Sequence, residues 1–174
     1  GRVNFKDGTL SGAGTTADYD IASNHYILTG PAAFITGPDG RANADKQIDF
    51  KRNNSLMILQ ENAHIKMTDG RELFGDHITV FLDENESLSR VLAKGGVKVI
   101  QNASSSARGD EADYDHEGNV TVLTGNVTLI DGENKLSGDV AEIDFSTGIS
   151  KIISSTSSGR VSGQFSRLKT DAQK

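Results

Sequence analysis

Val122-Leu123-Thr124-Gly125-Asn126-Val127-Thr128-Leu129 alternates between apolar and polar side chains with one interruption. Leu123, Val127 and Leu129 share one parity, while Thr124, Asn126 and Thr128 share the other. A period of two sends the two sets to opposite faces of a β-strand. Gly125 breaks into the apolar set, and a glycine inside a strand marks a bend or a close backbone approach. The stretch therefore reads as a long strand that turns a corner at Gly125 and presents Leu123, Val127 and Leu129 inward.

The same word stands 95 positions earlier. Leu28-Thr29-Gly30 falls on Leu123-Thr124-Gly125, Ala17-Asp18-Tyr19-Asp20 on Ala112-Asp113-Tyr114-Asp115, and Ile48-Asp49-Phe50 on Ile143-Asp144-Phe145. A finer period lies inside this one. Units start near Gly14, Asn43, Gly75, Gly109 and Gly138, each roughly 30 residues long. Five residues after each start come Tyr19, Ile48, Val80, Tyr114 and Ile143, and three after come Ala17, Lys46, Ile78, Ala112 and Ala141. The step of two places them on one face, with the stem of Lys46 lying along an apolar surface.

The second strand of each unit has its own inward set: Leu28, Ala32 and Phe34; Leu59, Ala63, Ile65 and Met67; Val97 and Val99; and Leu123, Val127 and Leu129. Turns fall at Pro38-Asp39-Gly40, Thr68-Asp69-Gly70, His116-Glu117-Gly118-Asn119 and Asp131-Gly132-Glu133-Asn134. No stretch carries a helical period. The expectation is an all-β chain of five stacked antiparallel hairpin units forming one domain over residues 1–168, with a polar tail at 169–174.

Composition narrows the function. The net charge of −6 argues against a nucleic-acid partner, which needs a basic surface. There is no Cys, so thiolate metal sites and disulfides are excluded. His25, His64, His77 and His116 fall in different units without ligand spacing. The acid pairs Asp18/Asp20 and Asp113/Asp115 resemble glycosidase carboxylates in type alone. They recur with the repeat at strand ends, which favours solvated structural carboxylates. No nucleophile elbow or phosphate loop is present. The expectation is a non-enzyme with no cofactor and no metal.

Gly109-Asp110-Glu111-Ala112-Asp113-Tyr114, Val122 to Val127, and Leu136-Ser137-Gly138-Asp139 followed by Ile143 together resemble the OstA-like domain of lipopolysaccharide transport. That domain occurs in LptA, in LptC and in the N-terminal part of LptD; the LptA type fits best. The resemblance implies an open, twisted, slide-like β-jellyroll in the periplasm. It also implies an apolar interior that shelters lipid A acyl chains, and protomers that join end to end with each other or with related jellyroll proteins. Because the chain opens on Gly1, a signal peptide or membrane anchor is expected to have been removed.

The lipid-contacting face expected on this basis is Tyr19, Leu28, Phe34, Ile48 and Leu59, then Ile65, Ile78, Val80, Val97 and Val99, then Tyr114, Leu123, Val127, Leu129 and Ile143. The expected assembly edge is Val161, Gly163 and Phe165, an uncharged stretch alternating toward one face. A structural β-repeat scaffold or surface adhesin with a filled interior is the alternative. Small residues at inward positions (Ala17, Ala32, Ala63, Ala112, Ala141) favour a guest over a filled core.

Overall fold

A computed structural model describes residues 2–153 and 162–164. These form fifteen strands and one 3₁₀ turn at Arg52–Asn54. The strands are β1 (Val3–Asp7), β2 (Leu10–Gly14), β3 (Thr16–Asp20), β4 (His25–Thr29), β5 (Ala33–Gly37), β6 (Gly40–Ala44) and β7 (Gln47–Lys51). There follow β8 (Leu56–Met67), β9 (Glu72–Leu82), β10 (Leu88–Ile100), β11 (Ser105–Asp115), β12 (Val120–Asp131) and β13 (Asn134–Asp144). β14 (Ile149–Ile153) and β15 (Ser162–Gln164) end the set.

All pairings are antiparallel, and the sheet does not close. Its main path runs β1-β2-β5-β6-β8-β9-β10-β11-β12-β13-β14, with β3-β4-β7 joining at β8 and β15 pairing β13. The long strands β8 to β13 bend at mid-length and contribute to two walls. One wall begins with β3, β4 and β7; the other begins with β1, β2, β5 and β6. A single apolar cluster lies between the walls. This is the all-β antiparallel stack that the repeat predicts, in the open jellyroll form that the resemblance implies.

The bends of β8, β10 and β12 are built alike. Each of the three carries two consecutive residues at positive φ: Glu61 and Asn62 in β8, Gly95 and Gly96 in β10, Gly125 and Asn126 in β12. Each pair inserts one extra residue, so that Gln60 faces His77 while Ala63 faces Gly75. The neighbouring strand answers with an aspartate. Asn126 Nδ2 donates to Asp110 Oδ2 at 2.7 Å, and Asn62 Nδ2 donates to Asp45 Oδ2 at 2.9 Å. A Cβ on Gly95 would lie 2.6 Å from Asp76 Oδ2. The recurring Gly-Asp word is therefore a corner, with glycine on its crowded inner side and aspartate bracing the bulge.

Near the N-terminus the corners become full breaks, and two expectations fail there. Between β4 and β5 the chain passes through Gly30 (φ 98), Pro31 and Ala32 (φ 57), one residue more than the corner of β12 uses. Parity flips across the break. Ala33 and Ile35 face inward, buried, while Ala32 is exposed. Phe34 faces outward under the Arg41 guanidinium, 3.6 Å from its ring centroid. In the next unit Ala44-Asp45, rather than Asn43-Ala44, forms the corner. Lys46 consequently points out to Glu61 at 3.3 Å instead of lying inside. Ile48 and Phe50 are the buried pair of that strand.

Candidate functional site

The inward rows run across the strands by direct pairing. Leu28, Ile48, Leu59 and Ile78 are consecutive partners in one wall, and all four are fully buried. Leu123 pairs Ala112 and Ala141 in the same wall. In the opposite wall Ile65, Leu73, Val99, Ala107, Leu129 and Leu136 are consecutive partners. Burial of such rows is the main stabilising term of the fold.

These residues are not equivalent as a site. Close to the bend, the fully buried Leu28, Ile48, Leu59, Ile78 and Leu123, with Val97 and Val127, already pack against their own neighbours. Space lies toward the mouth between the walls, in three linked cavities. One of about 70 Å³ is bounded by Leu10, Ile35, Met57, Ile65, Val80 and Leu88. A second, about 30 Å³, shares Ile65, Met67 and Leu88 with the first and adds Val91, Tyr114 and Phe145. The third, about 460 Å³, shares Val99 and Phe145 with the second and adds Leu129, Leu136 and Ile143, with Asn102, Ser105 and Asp131 as polar neighbours. Of the sequence-predicted face, Ile65, Val80, Val99, Tyr114, Leu129 and Ile143 line this path.

Tyr19 lies on the expected face but at the free edge, half exposed and stacked on Tyr26 at 4.2 Å. It borders a cavity of about 350 Å³ at the N-terminal end with Phe5, Tyr26 and Leu28. Gly163 pairs Leu136 and so extends the inner row of the second wall. Val161 and Phe165 lie outside the described residues, as does the tail.

Polar contacts cross the mouth. Asp39 Oδ2 accepts the N–H of Leu88 at 2.7 Å. Arg52 bridges Asp7 to Glu86, and Tyr26 Oη donates to Asp7 Oδ2 at 2.7 Å. Further along, the Arg71 guanidinium reaches Asn119 and Tyr114. Met67, inward by the repeat, lines the groove, and Leu88, Phe145 and Arg71 belong to it although the repeat does not single them out. Only inward parity could have signalled Leu88, and a bulge at Ser89 hides it.

Two of the carboxylates that invite a catalytic reading hold turns: Asp20 accepts the N–H of Ala22 at 2.9 Å and Asp115 that of Gly118 at 2.9 Å. Asp144 does the same with the N–H of Ser146 at 2.8 Å. Hydrogen bonds from Ser23 and Ser146, aided by backbone N–H groups, hold Asp20 and Asp144 below the usual carboxylate range. Asp113 is forked by Arg90 at 2.8 and 2.5 Å on the outer face, which lowers its carboxyl likewise. Among the described residues no three His, Asp or Glu side chains converge as a metal site. Nor is any helix there long and apolar enough to cross a membrane.

Comparison with known proteins agrees with this architecture. No curated protein matches the chain. Among solved structures, the chain is similar to LptH of Pseudomonas aeruginosa, described as the LptA homologous periplasmic component of the conserved lipopolysaccharide transport device. The TM-score is 0.64 at 17% identity, covering 74% of this chain and 95% of that one. At that identity the likeness speaks for the fold. The family model described as LptA/(LptD N-terminal domain) LPS transport protein matches residues 43–149. This chain belongs to that lipopolysaccharide transport family.

Proposed function

We propose that this chain shelters the acyl chains of lipopolysaccharide between its walls and passes them along a periplasmic bridge. The carrying observation is the line of three cavities at the mouth, flanked by apolar rows that continue from strand to strand. Energetics explains why such a path is needed. At about 0.8 kcal/mol per CH₂, a chain of roughly twelve carbons left in water costs on the order of 10 kcal/mol. A lipid with several chains therefore needs continuous cover.

The ends of the stack support assembly. Among the described residues, β1 and β3 have no second partner strand at one end, nor β14 and β15 at the other. Unpaired edges invite a further strand. Different surfaces at the two ends favour a heterologous head-to-tail contact, with a second copy or a related jellyroll protein, that propagates the groove. In this reading Gly163, with Val161 and Phe165, contributes to the joint.

The scaffold reading draws on the layer near the bend, where Leu28, Ile48, Leu59 and Ile78 are fully buried against one another. Native mass spectrometry of the purified chain mixed with lipopolysaccharide separates the two. A lipid-bound species that survives removal of free lipid supports the shelter. Persistent lipid-free protein at saturating lipid supports the scaffold.

A further inference from the structure

Arg71 is an unusual residue to find at the edge of an apolar groove. Its side chain is only 15% exposed. The guanidinium carbon lies 4.5 Å from the ring centroid of Phe145 and 5.4 Å from that of Tyr114. Nη1 donates to Asn119 Oδ1 at 2.9 Å, Nη2 to Tyr114 Oη at 3.3 Å, and Nε to Asp69 Oδ2 at 2.7 Å. Two aromatic rings thus hold a planar, permanently charged fork at the mouth. Beneath it lies the cavity bounded by Met67, Leu88, Val91 and Val99.

Other polar groups gather around the fork. Tyr114 Oη is 3.1 Å from His116 Nδ1 and 3.3 Å from Asn119 Oδ1. Burial pushes the Tyr114 phenol up, so at neutral pH the hydroxyl keeps its proton and stays a donor. The carboxylate partner, Asp69, sits on the same turn and is half exposed at the rim. An anion arriving from solvent can replace Asp69 without the guanidinium leaving its ring contacts.

We propose that Arg71, with Tyr114 and Asn119, binds a phosphate on the head of the amphiphile whose chains occupy the groove. The inference rests on the shelter reading above and adds head-group recognition to it. An apolar cavity below a buried fork matches a molecule with chains on one side and phosphate on the other. Guanidinium and phosphate oxygens are complementary in geometry and charge.

The test compares binding of bisphosphorylated lipid A with binding of the same lipid stripped of both phosphates, using wild type, Arg71→Gln and Arg71→Lys. Arg71→Gln is expected to lower the preference for the phosphorylated lipid about tenfold, the size of one lost charge-assisted hydrogen bond. Arg71→Lys should restore part of it. A general loss of stability would weaken both lipids equally, and an unchanged preference overturns the proposal while leaving the shelter intact. Wild type that binds neither lipid overturns the shelter, and this inference with it. Inorganic phosphate serves as the second arm. It is expected to leave the Asn119 and His116 resonances unshifted at millimolar concentration; tight binding of free phosphate would overturn the lipid assignment.

Discussion

The N–H of Leu88 donates to Asp39 Oδ2 at 2.7 Å, joining residues 49 positions apart across the mouth of the groove. Neither belongs to the repeat words, yet the contact ties the turn before β6 to the start of β10. Asp39→Ala leaves that N–H without its acceptor, at a cost of about 1–2 kcal/mol in unfolding free energy by denaturant titration. Asp39→Asn keeps an acceptor oxygen and should cost less. Equal stability of both variants and wild type would mean that the mouth is not latched there.

The corners make a sharper prediction. Gly125 has φ 77, and a Cβ there would lie 2.4 Å from Asp110 Oδ2. Gly132 has φ 58 with nothing within 4 Å. Gly132→Ala should therefore cost only the left-handed backbone penalty, about 1–2 kcal/mol. Gly125→Ala adds a collision inside the bulge and should cost clearly more. If thermal unfolding places both variants at the same midpoint, Asp110 does not brace the corner.

Parity can be tested at two adjacent residues. Ile35 is buried and Phe34 lies outward beneath Arg41. Ile35→Ala should cost about 2–5 kcal/mol, the range for emptying a core position. Phe34→Ala should cost less despite its larger side chain. The reverse order would restore the parity expected from sequence.

These two residues show how far the sequence reads. Regular alternation locates β8 to β13 and the inward Leu59, Val80, Val99, Leu123 and Leu129, because each bulge pairs one extra residue with a matching corner. The same logic fails between Leu28 and Ile35, where Pro31 and a second positive φ at Ala32 add a residue invisible to a period-two count. Lys46 misleads for the same reason. The corner at Glu61 and Asn62 carries no glycine, so nothing in composition announces it. Arg71 is not legible in the sequence because a charged residue next to a turn reads as solvent-exposed. Only the convergence of Tyr114, Asn119 and Phe145, each more than 40 positions away, buries it.

Acid should loosen the fold in a definite direction. Arg90 holds the Asp113 carboxyl low. At Asp69 burial pushes the pKa up, but hydrogen bonds from the Arg71 backbone and guanidinium outweigh it. Glu72 is likewise lowered by Lys66 and His64 against desolvation. Depressed folded values contribute stability that is complete above the ordinary carboxylate range, about 4, and is lost as pH falls through the lowered values. Thermal midpoints should lose these contributions below about pH 4. A midpoint that rises on acidification from 5 to 3 would contradict the assignment.

Occupation of the space between the walls by apolar chains, as proposed, is measured most directly by photo-crosslinking in cells, with the reactive residue placed in turn at Ile65, Leu129, Phe34, Lys66 and Thr128. Ile65 and Leu129 line the cavities, whereas Phe34 and Lys66 face outward and Thr128 alternates with Leu129. Lipopolysaccharide should be captured at Ile65 and Leu129 and not at the other three. Equal capture at all five positions, or capture at Phe34 and Thr128 in preference to Leu129, would contradict the account.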